Sequence, residues 1–213
     1  MARRRSAFCA LVVTVAVIVS GCSGGGGSKA LTVSDVVRAT STVRTARISY
    51  ARTDTTGSQS GTGEADLTHS RYRLHEKITD SELKLSGATF NAILVKRRLF
   101  MSRAPGASWC EFPDISVSRS PFGFDPTAVL HSLRPPETLQ RIGPDIIRGV
   151  ATTHYRILHG RGWNDLWVDA SDFLRRITSH QSNPVSSKTF DFFDYGAPIT
   201  PITAPATSTP CIS

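Results

Sequence analysis

The chain runs to 213 residues, with 25 Lys and Arg against 17 Asp and Glu for a formal net charge of +8, and 39% of its residues are hydrophobic. That is the length of one domain with a core of its own, and its basic residues are scattered, which argues against the concentrated stripe of a nucleic-acid binder. A cationic excess fits anionic lipid headgroups or acidic envelope polymers, and equally a solvated surface that happens to be cationic.

The first predicted element is a targeting segment. Arg3, Arg4 and Arg5 precede an apolar run from Ala7 to Val19, and then come Ser20, Gly21 and Cys22. A run of roughly a dozen residues is short of the roughly 20 that a bilayer-crossing helix needs. Its small-residue end and the glycine run between Ser23 and Ser28 suit a cleaved signal followed by a flexible tether; a permanent transmembrane anchor is the alternative. Val19-Ser20-Gly21-Cys22 resembles a bacterial lipobox, which implies acylation of Cys22 after cleavage. The expected organisation is a signal peptide over 1–21, a lipidated Cys and tether over 22–29, and one domain over 30–213. That places the protein on the extracytoplasmic face of the cell membrane, by the general secretory or the twin-arginine route.

Cys9 leaves with the signal and Cys22 carries lipid, so Cys110 and Cys211 remain as the pair available to an oxidising compartment, and a disulfide between them is expected. A free Cys211 in a frayed terminus and an intermolecular bond are the alternatives. Two isolated cysteines lack the close spacing of a zinc site.

Leu31 to Val43 reads as a helix, with Val33, Val36 and Val37 at helical spacing and Thr32 or Ser34 as cap. From Arg44 the period becomes two: Ala46, Ile48 and Tyr50 alternate with Arg47, Ser49 and Ala51. Gly57 to Gly63 reads as a turn, and Glu64 to His69 and Arg71 to Thr79 as the next strands. In the latter Tyr72, Leu74 and Ile78 share one face, and Arg71, Arg73, His75 and Lys77 the other. Ala88 to Lys96 and Arg98 to Ser102 form a hairpin, a loop passes through Pro105 and Gly106, and Trp109 opens a short strand. Asp125-Pro126 starts a second helix through Leu133, stopped by Pro135-Pro136. Asp145 to Leu158 reads as one strand with Ile147, Ala151, Thr153, Tyr155 and Ile157 on one side, and Gly160, Gly162 and Asn164 mark a turn. Asp165 to Asp169, Phe173 to Gln181 and Ser187 to Asp194 follow, the last with Phe190 and Phe192 on one face. The tail, with Pro198, Pro201, Pro205 and Pro210, is too rich in Pro for a central strand. The expected fold class is α+β: a long curved antiparallel sheet, an open half-barrel, with two or more helices packed on its concave face.

Gly149-Val150, Thr153-His154-Tyr155, Leu166-Trp167-Val168-Asp169, Leu174-Arg175-Arg176 and Phe193-Asp194-Tyr195-Gly196 occur in succession. This half of the chain resembles the LppX/LprA/LprF/LprG group of actinobacterial lipoproteins, within the LolA/LolB-like superfamily. The resemblance implies a half-barrel whose helices cover an apolar cavity for a lipid, glycolipid or acyl chain, carried through the envelope without cofactor or covalent step. Tyr72, Leu74, Ile78, Phe90, Leu94, Tyr155, Ile157, Phe190 and Phe192 are the candidates to line it; the alternative is that they form a solid core.

Catalytic patterns are not in evidence. His69, His75, His131, His154, His159 and His180 make no His-Glu-x-x-His set, and neither a nucleophile elbow nor a phosphate loop is present. Asp165, Asp169 and Asp172 read as a solvated turn rather than a calcium loop, and Asp191 and Asp194 as structural, so no metal or cofactor is expected. Trp109 and Trp167 suit sheet-covering positions, while Trp163 reads as a loop tip touching a partner or membrane. The second reading is a non-catalytic interaction or sensor module that binds an envelope protein through the sheet exterior, including Arg71, Arg73, Lys77 and Trp163.

Overall fold

The computed structural model describes residues 30–81, 84–103, 107–112, 133, 138–159, 162–182 and 185–211. The signal, Cys22, the tether and all of the expected second helix except Leu133 lie outside them. Leu31–Ser213 is one compact unit.

Among the described residues there is one helix, α1 (Val33–Thr42). It begins two residues later than the apolar spacing suggests because Thr32 is extended and caps it: the Asp35 amide donates to Thr32 Oγ1 at 3.2 Å, and the Thr32 amide to Asp35 Oδ2 at 3.2 Å. This reciprocal capping box satisfies two amides that an uncapped helix end leaves open. Val33 and Val36 are buried against the sheet.

Among the described residues twelve strands form one unclosed curved sheet in the order β12-β6-β5-β4-β3-β2-β1-β11-β10-β9-β8-β7. They are β1 (Thr45–Asp54), β2 (Gly57–Asp66), β3 (Arg71–Asp80), β4 (Leu85–Val95), β5 (Arg98–Ser102), β6 (Cys110–Phe112), β7 (Gln140–Ile147), β8 (Val150–His159), β9 (Gly162–Asp169), β10 (Leu174–Ser182), β11 (Val185–Phe193) and β12 (Thr209–Pro210). Two antiparallel meanders, β1 to β6 and β7 to β11, meet at a seam where β1 pairs with β11. The parallel pair β12–β6 closes the far edge.

Two sequence expectations are corrected. Gly57 to Gly63 is no turn but the body of β2, and the reversal occurs at Thr55-Thr56, where Asp54 Oδ1 accepts from the Thr56 amide (2.9 Å) and the Gly57 amide (3.1 Å). The glycines serve close approach: a Cβ on Gly63 would lie 1.9 Å from the Arg73 carbonyl oxygen, and one on Gly57 2.0 Å from that of Thr79. Asp145 to Leu158 is likewise two strands, β7 and β8, joined by Arg148 and Gly149 with φ of 50° and 79°. Positive φ at both central residues is the geometry of a tight two-residue hairpin. Ile147 then pairs with Val150, which moves it to the face opposite Tyr155 and Ile157.

One face of the sheet, here the inner face, carries Ile48, Leu74, Leu94, Leu166, Ile177, Phe190 and Phe192 and packs with Val33, Val36 and Leu133 in a single core cluster. On the outer face Ile93, Val95, Phe100 and Ile202 form a second cluster with Trp109 and Ile199. The Pro-rich tail lies over it as a strap: Arg73 Nη2 donates to the Pro201 carbonyl at 3.2 Å, and a Cys110–Cys211 disulfide ties down its end.

Candidate ligand-binding face

Strand register arranges the inner face in rows running across the sheet. One row reads Ala92, Leu74, Gly63, Ile48, Phe192. The next reads Phe90, Glu76, Gly61, Tyr50, Phe190, Ile177, Leu166, Tyr155, crossing eight strands. The third reads Ala88, Ile78, Gln59, Arg52, Lys188, Ser179, Asn164, Ile157. At the seam the facing pairs are Ile48–Phe192, Tyr50–Phe190 and Arg52–Lys188, so polarity rises along the strands from apolar to charged.

All nine residues singled out from the sequence fall on this face. Tyr72, Leu74, Ile78, Phe90, Leu94, Ile157, Phe190 and Phe192 are buried in the main cluster, and Tyr155 packs against it partly exposed. Tyr50 and Phe190 stack across the seam with ring centroids 5.1 Å apart.

The polar members of these rows are the residues that sequence reasoning missed. Glu76 is only 1% exposed. Gln59 Nε2 donates to Glu76 Oε2 at 2.7 Å, and Tyr50 Oη donates to Gln59 Oε1 at 3.3 Å, a relay of three side chains on three strands. Burial, only partly offset by the Gln59 hydrogen bond and by His75, pushes the Glu76 carboxyl up to about 7. Burial likewise raises the Tyr50 phenol above its usual range. Gly61 opposite leaves room, since a Cβ there would sit 3.1 Å from Glu76 Cγ. The signal was present in β3, where period two places residue 76 with Leu74 and Ile78.

At the charged end Arg52 Nη2 lies 2.5 Å from Asp54 Oδ2. Desolvation would raise Asp54, but hydrogen bonds from Thr56 and the neighbouring Arg52 outweigh it and hold the carboxyl down to about 2. For Lys188, burial first and Arg52 second push the ammonium below its usual range, against the pull of Asp54.

The outer face of β8 to β10 holds a different network. Asp165, expected in a solvated turn, is 4% exposed within β9. Arg156 grips it through Nε (2.7 Å) and Nη2 (3.0 Å), the Trp163 indole N–H donates at 3.1 Å, and His154 Nε2 and His180 Nε2 lie 3.0 and 3.4 Å from its oxygens. Trp163 is thus a strand residue, stacked on His180 at 4.6 Å, and not a loop tip; Trp167 stacks on His154 at 4.4 Å. Asp165 is occupied as a brace between three strands, and that convergence is invisible in sequence spacing. Among the described residues no group of His, Cys, Asp and Glu is placed to hold a metal, and no helix is long and apolar enough to cross a membrane.

No protein-family model matches the chain, and no curated protein matches it. Among solved structures it is similar to LprF from Mycobacterium bovis, at 14% identity over 82% of this chain and 95% of that one, with a TM-score of 0.55. It is also similar to an uncharacterized conserved protein from Thermus thermophilus, at 6% identity over 84% and 97% with a TM-score of 0.48. MucB, solved in complex with MucA(peri), matches at 12% identity over 82% of this chain and 59% of that one, with a TM-score of 0.42. The fold is that of LprF.

Proposed function

We propose that this protein is a membrane-anchored lipoprotein that takes up a hydrophobic ligand, a lipid, glycolipid or acyl chain, against the inner face of its sheet and carries it within the cell envelope. The observation that supports this is the gathering of all nine apolar candidates on one face of an unclosed sheet whose fold is that of LprF. That face is mainly apolar and carries a few placed polar groups, the chemistry that matches an amphiphile. Nothing in the proposal requires a cofactor or a covalent step.

The anchor is proposed on Cys22, with residues 1–21 removed and 22–29 as tether. Cys22→Ala should shift the protein out of the membrane fraction and abolish incorporation of labelled palmitate; an acylated Cys22→Ala protein overturns the assignment. Native mass spectrometry of the full-length protein, extracted from bacterial membranes in mild detergent, tests carriage. A discrete acyl-lipid adduct, lost in Leu74→Asp or Phe192→Asp variants that keep their cooperative melt, is expected. An apo mass under every condition overturns it.

A second reading, a non-catalytic module that docks an envelope protein, draws on one outer-face feature. A groove of about 460 Å³ is lined by Thr53, Trp163, His180 and Val185 among others, and Leu158, cross-strand from Trp163, is 71% exposed beside it. Leu158→Glu should abolish a specific partner's co-purification under this reading and leave lipid adducts unchanged under the first.

A further inference from the structure

The inner face holds a charge arrangement that packing alone would disfavour. Arg52 and Lys188 stand directly opposite each other across the β1–β11 seam, and like charges in that position repel. Their surroundings screen them poorly, since Lys188 is half-buried and desolvated. Among the described residues one carboxylate answers the two cations, Asp54, and it is already engaged by the Thr55-Thr56 turn. Lys188 makes no ion pair among the described residues.

Two further groups on the same row lack partners. Arg52 Nε is buried with no acceptor, and Asn164 Oδ1 has no donor, among the described residues. Asn164 is 8% exposed, so its amide is nine-tenths withdrawn from water, and an unsatisfied buried polar atom is costly. An orphan donor, an unpaired ammonium and an orphan acceptor therefore line up over four adjacent strands, β1, β11, β10 and β9. Immediately along the strands lie Tyr50 and Phe190, and beyond them Ile48 and Phe192.

We propose that the row from Arg52 through Lys188 to Asn164 is the polar seat of an anionic amphiphile. A phosphate-type anion is held by Arg52 and Lys188, a neighbouring hydroxyl meets Asn164, and the chains enter the core cluster past Tyr50 and Phe190, which are 3% and 2% exposed and must part to admit them. The assignment rests on the inner face being a ligand site, and it deepens that reading by naming the ligand's charge. Arg offers a fork of donors to such an anion and Lys a point charge, and bonds of this kind are about twice as strong as neutral ones. The same chemistry is offered by a phospholipid headgroup and by free inorganic phosphate.

The test uses the full-length protein in mild detergent, exposed to equimolar dioleoyl phosphatidylglycerol and dioleoyl phosphatidylcholine and read by native mass spectrometry. The wild type is expected to retain phosphatidylglycerol over phosphatidylcholine by about tenfold, the worth of one charge-assisted hydrogen bond. Lys188→Met should bring that ratio near unity without reducing the phosphatidylcholine adduct, and Lys188→Arg should restore it. Arg52→Met is the second variant; if it fails to fold once its pairing with Asp54 is lost, Lys188→Met still decides, because Lys188 has no ion pair to lose among the described residues. Equal retention of both lipids by the wild type, or a preference that survives Lys188→Met, overturns the polar seat and leaves carriage standing. If neither lipid is retained, carriage fails, and a titration with inorganic phosphate followed by the Lys188 ammonium resonance becomes decisive. Saturation lost in Arg52→Met then supports the seat with a free anion as its ligand, and no saturation overturns it.

Discussion

A carboxyl group sealed among aromatic and aliphatic side chains is tolerated far better as the acid than as the anion, and Glu76 occupies that position on β3. Below pH 4.5 it is protonated in both folded and unfolded chains and costs nothing. As pH rises from 4.5 toward about 7 the unfolded chain releases its proton while the folded one retains it, so stability falls, and above about 7 the loss is complete. The difference corresponds to about 3 kcal/mol. Glu76→Gln should therefore melt well above the wild type at pH 8 and close to it at pH 4; identical melting at pH 8 would show that the carboxyl is solvated. Gly63 answers to a steric rule instead. Gly63→Ala thrusts a methyl to 1.9 Å from a backbone oxygen that cannot step aside, and a loss of about 1–3 kcal/mol in urea unfolding is expected.

For the elements, legibility followed the strength of the alternation. Strand β3, with Tyr72, Leu74 and Ile78 against Arg71, Arg73 and Lys77, declares itself, as does β11 with its paired phenylalanines. Strand β2 does not, because Gly57-Ser58-Gln59-Ser60-Gly61-Thr62-Gly63 has no apolar side chain to mark a face; its strand character is imposed by β1 and β3, which it pairs along nearly its whole length. The β7–β8 hairpin was hidden for another reason: Arg-Gly lacks the usual Asn-Gly or Asp-Gly signature, so the alternation ran through the turn. The polar row of the candidate site needed register, which no single strand contains. For α1 the cap was legible and its worth is testable. Thr32→Ala removes the side-chain half of the capping box and should lower stability by about 1 kcal/mol, measured by the same urea transition.

Across the whole molecule, the two edges of the sheet are protected differently. Strand β7 carries Pro144 and a register shift between Arg141 and Gly143, both of which discourage a further strand from adding. The other edge is closed by the tail, and the Cys110–Cys211 bond spans 101 positions of sequence. Closing a loop of that size is worth about 4–5 kcal/mol in the chain-entropy view. Reduction, or Cys211→Ser, should lower the melting temperature by roughly 10–20 °C and increase binding of a hydrophobic dye as the strap lifts from Ile93, Val95 and Phe100. An unchanged melt would mean that the strap holds without its bond. The seam between β1 and β11 carries a further consequence, one of timing. Synthesis delivers Tyr50 early and Phe190 near the end, separated at ordinary ribosomal rates by roughly ten seconds. A first meander that forms before β11 is available has β1 as a bare edge, open to any passing strand, until β11 covers it.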